Sequence, residues 1–256
     1  MYTKEQTALY LERIGVTGDL PLNADTLTKI VAAHYCTVPY ENLDILADKP
    51  LNLDPQALFE KIVLNHRGGF CFELNEALGN LLSSLGFSVT HYAARFILGE
   101  PADRLPMRRH HVLLVHLPEG DWLCDAGIMR EAPRIALKLE AGLVQSDGIG
   151  EYKFEKDPFY GNVLLQKLPG QDFVPFFGFT LEPQINADFV MPCFYCEKHP
   201  GSPFIHGNMV GIHTPTGSWN LSGMQLRRLE GAEIVERRDL TEEEIPGVLQ
   251  DIFGMI

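Results

Sequence analysis

The run Arg67-Gly68-Gly69-Phe70-Cys71-Phe72-Glu73-Leu74-Asn75 sets one cysteine behind a glycine pair and at the head of a helical pattern. Leu74, Leu78, Leu81, Leu82 and Leu85 follow at spacings of three and four, so the helix opens near Cys71. Unpaired N–H groups and aligned peptide dipoles at a helix start favour an anion. A thiolate there titrates below the free value of about 8.5, toward roughly 3.5–7.5, and becomes a nucleophile. Phe70 and Phe72 are placed to exclude water or border an acyl group. Arg67 is placed to brace the turn against Glu73, and Glu73 and Asn75 read as scaffold. The competing reading is a buried core cysteine, since free cysteine is among the most buried residue types.

A nucleophilic thiol needs a base and a group that orients the base. Arg108-Arg109-His110-His111 opens a strand-like run. Alternation puts His110, Val112, Leu114 and His116 on one face, and His111, Leu113, Val115 and Leu117 on the other. Pro118-Glu119-Gly120 is a turn signal, and the return strand 121–125 brings Asp125 back beside the start of the first. The carboxylate would fix the ring and tautomer of the imidazole that takes the thiol proton. Strand pairing alone does not choose between His110 and His111, and Asp125 also reads as a turn aspartate ahead of Gly127.

The elements that carry these residues change character along the chain. Helical patterns cover 4–16, 25–35, a stretch after Asp54-Pro55 and the one opening near Cys71, with caps at Thr3 and at Asn23 or Asp25 and a left-handed stop at Gly86. Short strands begin at 88–97 and continue to about residue 191, which suggests a small barrel or curled sheet. A few more strands within 200–236 and a short helix at 241–253, capped by Thr241 with Glu244 three residues on, complete the chain. Three regions are expected, at 1–86, 87–191 and 192–256.

The 256 residues are 45% hydrophobic and 21% charged, which is globular material. A formal net charge of −13 argues against non-specific nucleic-acid binding, but not against a phosphorylated ligand held by a few N–H groups. Residues 1–20 lack the apolar core of a leader, and no apolar run is long enough to span a membrane. Five cysteines without a leader imply reduced thiols and a cytoplasmic location.

The Arg-Gly-Gly-Phe-Cys-Phe-Glu-Leu-Asn run resembles the signature around the catalytic cysteine of the arylamine N-acetyltransferase family. Val38-Pro39-Tyr40-Glu41-Asn42-Leu43-Asp44, the stretch from His110 to Asp125, Phe179-Thr180-Leu181-Glu182-Pro183-Gln184 and Ser202-Pro203-Phe204 are similar to other family segments. The resemblance spans the chain from about residue 5 onward. It implies an α+β fold of N-terminal helical bundle, central β-barrel and C-terminal α/β lid, with a cysteine-protease-like Cys-His-Asp arrangement. It selects His110 over His111, with Cys71 and Asp125 as the other catalytic residues. It also implies acetyl-CoA as donor, no metal, and an acetyl-cysteine passed to an arylamine, arylhydrazine or N-hydroxyarylamine. An oxyanion site is expected near the Cys71 N–H. The family continues from its aspartate as Val-Gly-Phe-Gly, whereas this chain has Ala126-Gly127-Ile128-Met129. Phe70, Phe72, Ile128 and Met129 are the candidate substrate contacts, and Gly127 the candidate cofactor contact. The missing aromatic residue and second glycine imply an altered acceptor range.

Cys193-x-x-Cys196 with His199 has a spacing that zinc or a redox pair could use, but Pro192 and the flanking aromatics favour loop or edge cysteines packed on aromatic rings. His91, His110, His111 and His116 form no helical metal motif, and there is no phosphate-binding or dinucleotide fingerprint. Two other functions compete with acetyl transfer: a thiol hydrolase or transglutaminase-like enzyme using the same three residues, and a non-enzymatic relative that binds a ligand or partner.

Overall fold

The computed structural model describes residues 1–101 and 103–255. Ala102, inside the expected 87–191 region, and Ile256, the end of the expected 192–256 region, lie outside it. α1 (Lys4–Arg13) is held at its start by a reciprocal pair: Gln6 N donates to Thr3 Oγ1 at 3.2 Å, and Thr3 N donates to Gln6 Oε1 at 3.0 Å. It stops three residues short of the expected end, because the chain turns through Gly15 at φ 68°. α2 (Ala24–Thr37) is capped by Asn23, and its Leu27, Ile30, Val31 and His34 face inward as their spacing predicts. A two-residue strand β1 (Tyr40–Glu41), a single turn α3 (Leu43–Leu46) and α4 (Pro55–Phe59) follow, α4 running into a π-helical turn at Glu60–Leu64. α5 (Cys71–Ser84) is buried along most of its length, and Gly86 at φ 101° ends it.

An eight-stranded antiparallel sheet comes next: β2 (Ser88–Phe96), β3 (His110–Leu117), β4 (Gly120–Cys124), β5 (Leu137–Lys138), β6 (Gln145–Ser146), β7 (Glu151–Asp157), β8 (Gly161–Lys167) and β9 (Val174–Gln184). Its order is β5-β4-β3-β2-β9-β8-β7-β6, so the two shortest strands are its edges. Those edges are stitched by a side chain. Gln145 accepts from Lys138 N at 2.8 Å and donates to Lys138 O at 3.0 Å, as a peptide group would. The result is a nearly closed barrel, which removes most of the edge-strand liability.

The strands end at Gln184, earlier than expected. A 3₁₀ turn at Asn186–Phe189 leads into α6 (Val190–Lys198), where the sequence suggested a loop. Pro192 is tolerated because it lies in the first turn, where helix N–H groups have no partner within the helix. A five-stranded sheet then gathers β1 with β10 (Met209–His213), β11 (Gly217–Ser222), β12 (Gln225–Glu230) and β13 (Glu233–Asp239), in the order β1-β10-β11-β12-β13. α7 (Ile245–Asp251) packs on it through Val248, in a second apolar cluster with Val210, Leu221, Leu226 and Phe253. N-terminal helices, barrel and C-terminal α/β region thus follow one another along the chain. Among the described residues, no helix is long and apolar enough to cross a membrane.

Candidate active site

Cys71 is the first residue of α5, and the way the chain arrives there explains the glycine pair. β1 runs directly against it: Glu41 N donates to Gly69 O at 2.8 Å, and Gly69 N donates to Pro39 O at 3.2 Å. A β-carbon on Gly68 would lie 2.0 Å from the Pro39 carbonyl oxygen. Close approach therefore requires the glycine, rather than the tight turn expected from the sequence. Arg67 does not pair with Glu73. It reaches Glu41 at 2.7 Å and Asp44 at 3.2 Å, while Lys61 takes Glu73 at 2.8 Å. Glu73 is thereby freed to accept from Phe70 N at 2.9 Å and hold the helix start.

His110 begins β3, and Asp125 follows the last residue of β4. With Leu113 opposite Cys124, the residue after Cys124 comes alongside Val112, on the face that also carries His110. His110 Nε2–H donates to Asp125 Oδ2 at 2.6 Å, and both side chains are buried. The other carboxylate oxygen accepts from Asn75 Nδ2 at 2.8 Å and from Gly127 N at 2.7 Å. Asn75 also donates to His111 O at 2.6 Å and accepts from Ala126 N at 2.8 Å. It ties α5, β3 and the segment that follows β4 into one unit. Sequence reasoning passed it over as scaffold. The signal was its position four residues after Cys71, which puts both on one helix face.

The Cys71 sulfur is 4% exposed at residue level and donates to Arg109 O at 3.9 Å. A β-carbon on Gly127 would meet Cys71 Cα and Cβ at 2.8 Å, so the cysteine is pressed against the segment leaving Asp125. Among the described residues, no hydrogen bond joins Cys71 to His110 or Asp125. His110 Nδ1 is buried without a partner. With Nε2 engaged by the carboxylate, Nδ1 is the ring atom left open for proton transfer. Burial pushes the Cys71 thiol well above its usual range; Cys196, Cys193 and Asp125 add to that, and the backbone N–H of His111 opposes it. Burial thus opposes the thiolate that the helix start favours.

His111 points to the other face of β3. Its Nε2 lies 2.8 Å from His91 Nδ1, and its ring stacks on Phe189 at 4.1 Å between centroids. The four candidate substrate contacts are all buried. Phe70 packs on Tyr40, Phe72 and Phe204, and Phe72 on Phe189. Ile128 O takes a long contact of 3.4 Å from His213 Nε2, and Met129 occupies the space above Gly211, where a β-carbon would sit 2.5 Å from its Cγ. Cys193 and Cys196 are buried on α6. Among the described residues, they and His199 do not converge as metal ligands. His199 stacks on Tyr195 and accepts from Gly201 N.

Comparison with known proteins gives the site its setting. The model of the N-acetyltransferase family matches residues 23–256. The arylamine N-acetyltransferase of Escherichia coli K12 is 34% identical over 248 residues, covering 96% of this chain and 87% of that protein. The solved arylamine N-acetyltransferase of Salmonella typhimurium superposes with a TM-score of 0.93 at 29% identity, over 99% of this chain and 92% of that one. The Mycobacterium marinum enzyme, solved in complex with CoA, superposes at 0.90 with 30% identity, over 97% and 92%. The chain belongs to the arylamine N-acetyltransferase family.

Proposed function

We propose that this chain transfers an acetyl group from acetyl-CoA to an arylamine, arylhydrazine or N-hydroxyarylamine through an acetyl-Cys71 intermediate. The observation that carries the reading is the buried His110–Asp125 pair, whose carboxylate is bonded to Asn75, one turn along α5 from Cys71, and to the N–H of Gly127, which packs against Cys71. In the first half-reaction His110 Nδ1 takes the thiol proton as sulfur bonds to the thioester carbonyl carbon. The carbon–sulfur bond to CoA breaks, and His110 returns the proton to the departing thiolate. In the second, the acceptor nitrogen or oxygen attacks the acetyl carbon and gives its proton to His110, which passes it to the Cys71 sulfur as the acyl bond breaks. The Cys71 N–H, at the start of α5, is positioned to stabilise the oxyanion in both steps. His111 is engaged with His91, which supports His110 as the base. A reducing, cytoplasmic setting fits the five free cysteines.

Ile128 and Met129 replace the aromatic residue and glycine that the family carries, so we infer weaker stacking on flat acceptors. The test is intact-protein mass spectrometry after brief mixing with acetyl-CoA. One acetyl group on Cys71, absent in C71A and strongly slowed in H110A, is expected. The label should then move to an added arylamine faster than it is lost to water. Wild-type protein that gains no acetyl group at any pH overturns the reading, and rapid loss to water with no transfer would favour a thiol hydrolase.

A further inference from the structure

On the face of β3 away from His110, three side chains from three elements converge. Glu76 comes from α5, His91 from β2 and His111 from β3, and their ligand atoms all lie within 4.8 Å of one another. We propose that Glu76, His91 and His111 form a binding site for one divalent transition-metal ion of the zinc class.

The arrangement is built by the fold. His111 pairs with Ala93 across the β2–β3 ladder, so His91, two residues away, projects from the same face as a diagonal neighbour. His91 Nδ1 lies 2.8 Å from His111 Nε2 and 3.5 Å from Glu76 Oε2. Zinc bonds of about 2.0–2.1 Å in a tetrahedron set ligand atoms about 3.3 Å apart, so the two rings need to part by only about 0.5 Å. Each ligand is already held. Asn80 Nδ2 donates to Glu76 Oε1 at 2.9 Å, which leaves Oε2 for the ion. The His111 ring stacks on Phe189 at 4.1 Å between centroids, and Phe72 packs against Phe189 on the same side. Gly79, one turn after Glu76, leaves room for His91: a β-carbon there would lie 2.8 Å from His91 Cε1.

Two imidazoles and one carboxylate form a ligand set that zinc uses when it keeps an open position. Imidazole also discriminates against magnesium and calcium, which prefer oxygen. The His91 side chain is 23% exposed and that of Glu76 10%, so an ion and a water ligand reach the site from the His91 side. The ion would clip α5 to β2 and β3, the elements that carry Cys71 and His110, without touching either.

The test uses the whole chain, stripped with a chelator and titrated with Co²⁺ and Zn²⁺, with Mg²⁺ as comparison. One equivalent of Co²⁺ should bind and give visible bands of low coordination number, without a near-ultraviolet thiolate-to-cobalt band. Zn²⁺ should displace it and raise the Tm, and Mg²⁺ should do neither. H91N and E76Q should each weaken binding more than about tenfold, since even residues behind the ligands cost that much in known sites. Circular dichroism and metal-free acetylation of Cys71 establish that both variants are folded. Absence of one-equivalent binding, binding unchanged in both variants, or a dominant thiolate band would each overturn the site.

Discussion

Asn75 is the residue on which the candidate site's geometry turns. Its amide spans Asp125 Oδ1, His111 O and Ala126 N, at 2.6–2.8 Å. In N75A the carboxylate keeps Gly127 N and His110, but two buried backbone groups lose their partner. Each unmet group costs about 1–3 kcal/mol, so a lower Tm is expected. Displacing Asp125 should also slow acetylation of Cys71 by roughly 10²-fold, since small misplacements cost that much. Stopped single-turnover acetylation by acetyl-CoA reads this directly; a wild-type rate in a folded N75A would remove Asn75 from the positioning of Asp125. How far this was legible depended on the kind of signal. Period-two alternation already set His110 and Val112 on one face, and the hairpin brought Asp125 to it. The Asn75 clamp was hidden, because an asparagine in a helix has many uses and its partners lie 36 to 51 positions away. The forces on the Cys71 proton divide in the same way: a helix start is visible in a sequence, whereas the burial that opposes ionisation depends on the whole fold.

At the scale of elements, β1 is the joint between the helices and the C-terminal sheet, and Gly68 admits it. β1 pairs with β10 while bonding back to Gly69. In G68A the new carbon would meet the Pro39 carbonyl at 2.0 Å, backbone against backbone, so β1 must move and carry β10 with it. A loss at the upper end of about 1–3 kcal/mol is expected. G69A should cost less, because its nearest neighbour is the Glu73 side chain at 3.0 Å. Urea unfolding of the two variants checks the ordering, and equal losses would mean that β1 is not constrained here. The helices with strong periodicity and caps, α1, α2 and α5, were readable to within a few residues. α6 was not. Its exposed Val190, Met191 and Phe194 alternate with buried Cys193 and Cys196 in a pattern that an early proline obscures. The closure of the barrel through Gln145 is likewise a side-chain act that no strand pattern announces.

For the whole molecule, four histidines whose titration burial lowers tie stability to pH: His34, His213 and the His91–His111 pair. His34 is enclosed between α1 and α2, bonded to Tyr10 Oη at 2.9 Å; burial, helped by the Arg13 charge, pushes it down to about 3. His213 lies where α2, the segment after Asp125 and β10 meet, edge-on to Tyr35 at 4.7 Å. Burial pushes it down to about 4; the Ile128 carbonyl and Asp147 oppose the shift, and Arg134 adds to it. A histidine with a depressed folded value binds fewer protons in the native chain than in the unfolded one. Stability is therefore full above the unfolded value of about 6.5 and falls as pH drops toward 4 and then 3. Each group contributes about 1.4 kcal/mol per pH unit in that window. Glu73, whose carboxyl burial raises, works in the opposite direction, and Asp44, held down by Lys61 and Arg67 against the effect of burial, adds its own loss below the ordinary carboxylate range. The slope between pH 6.5 and 5 should thus come mainly from histidine. H34Q keeps a hydrogen-bonding group for Tyr10 but cannot titrate. Urea unfolding across that window should show a slope reduced by about a quarter in H34Q relative to wild type. An unchanged slope would mean that His34 takes up its proton without opening the α1–α2 packing, and the acid sensitivity would then have to arise at the His213 junction and at the His91–His111 pair.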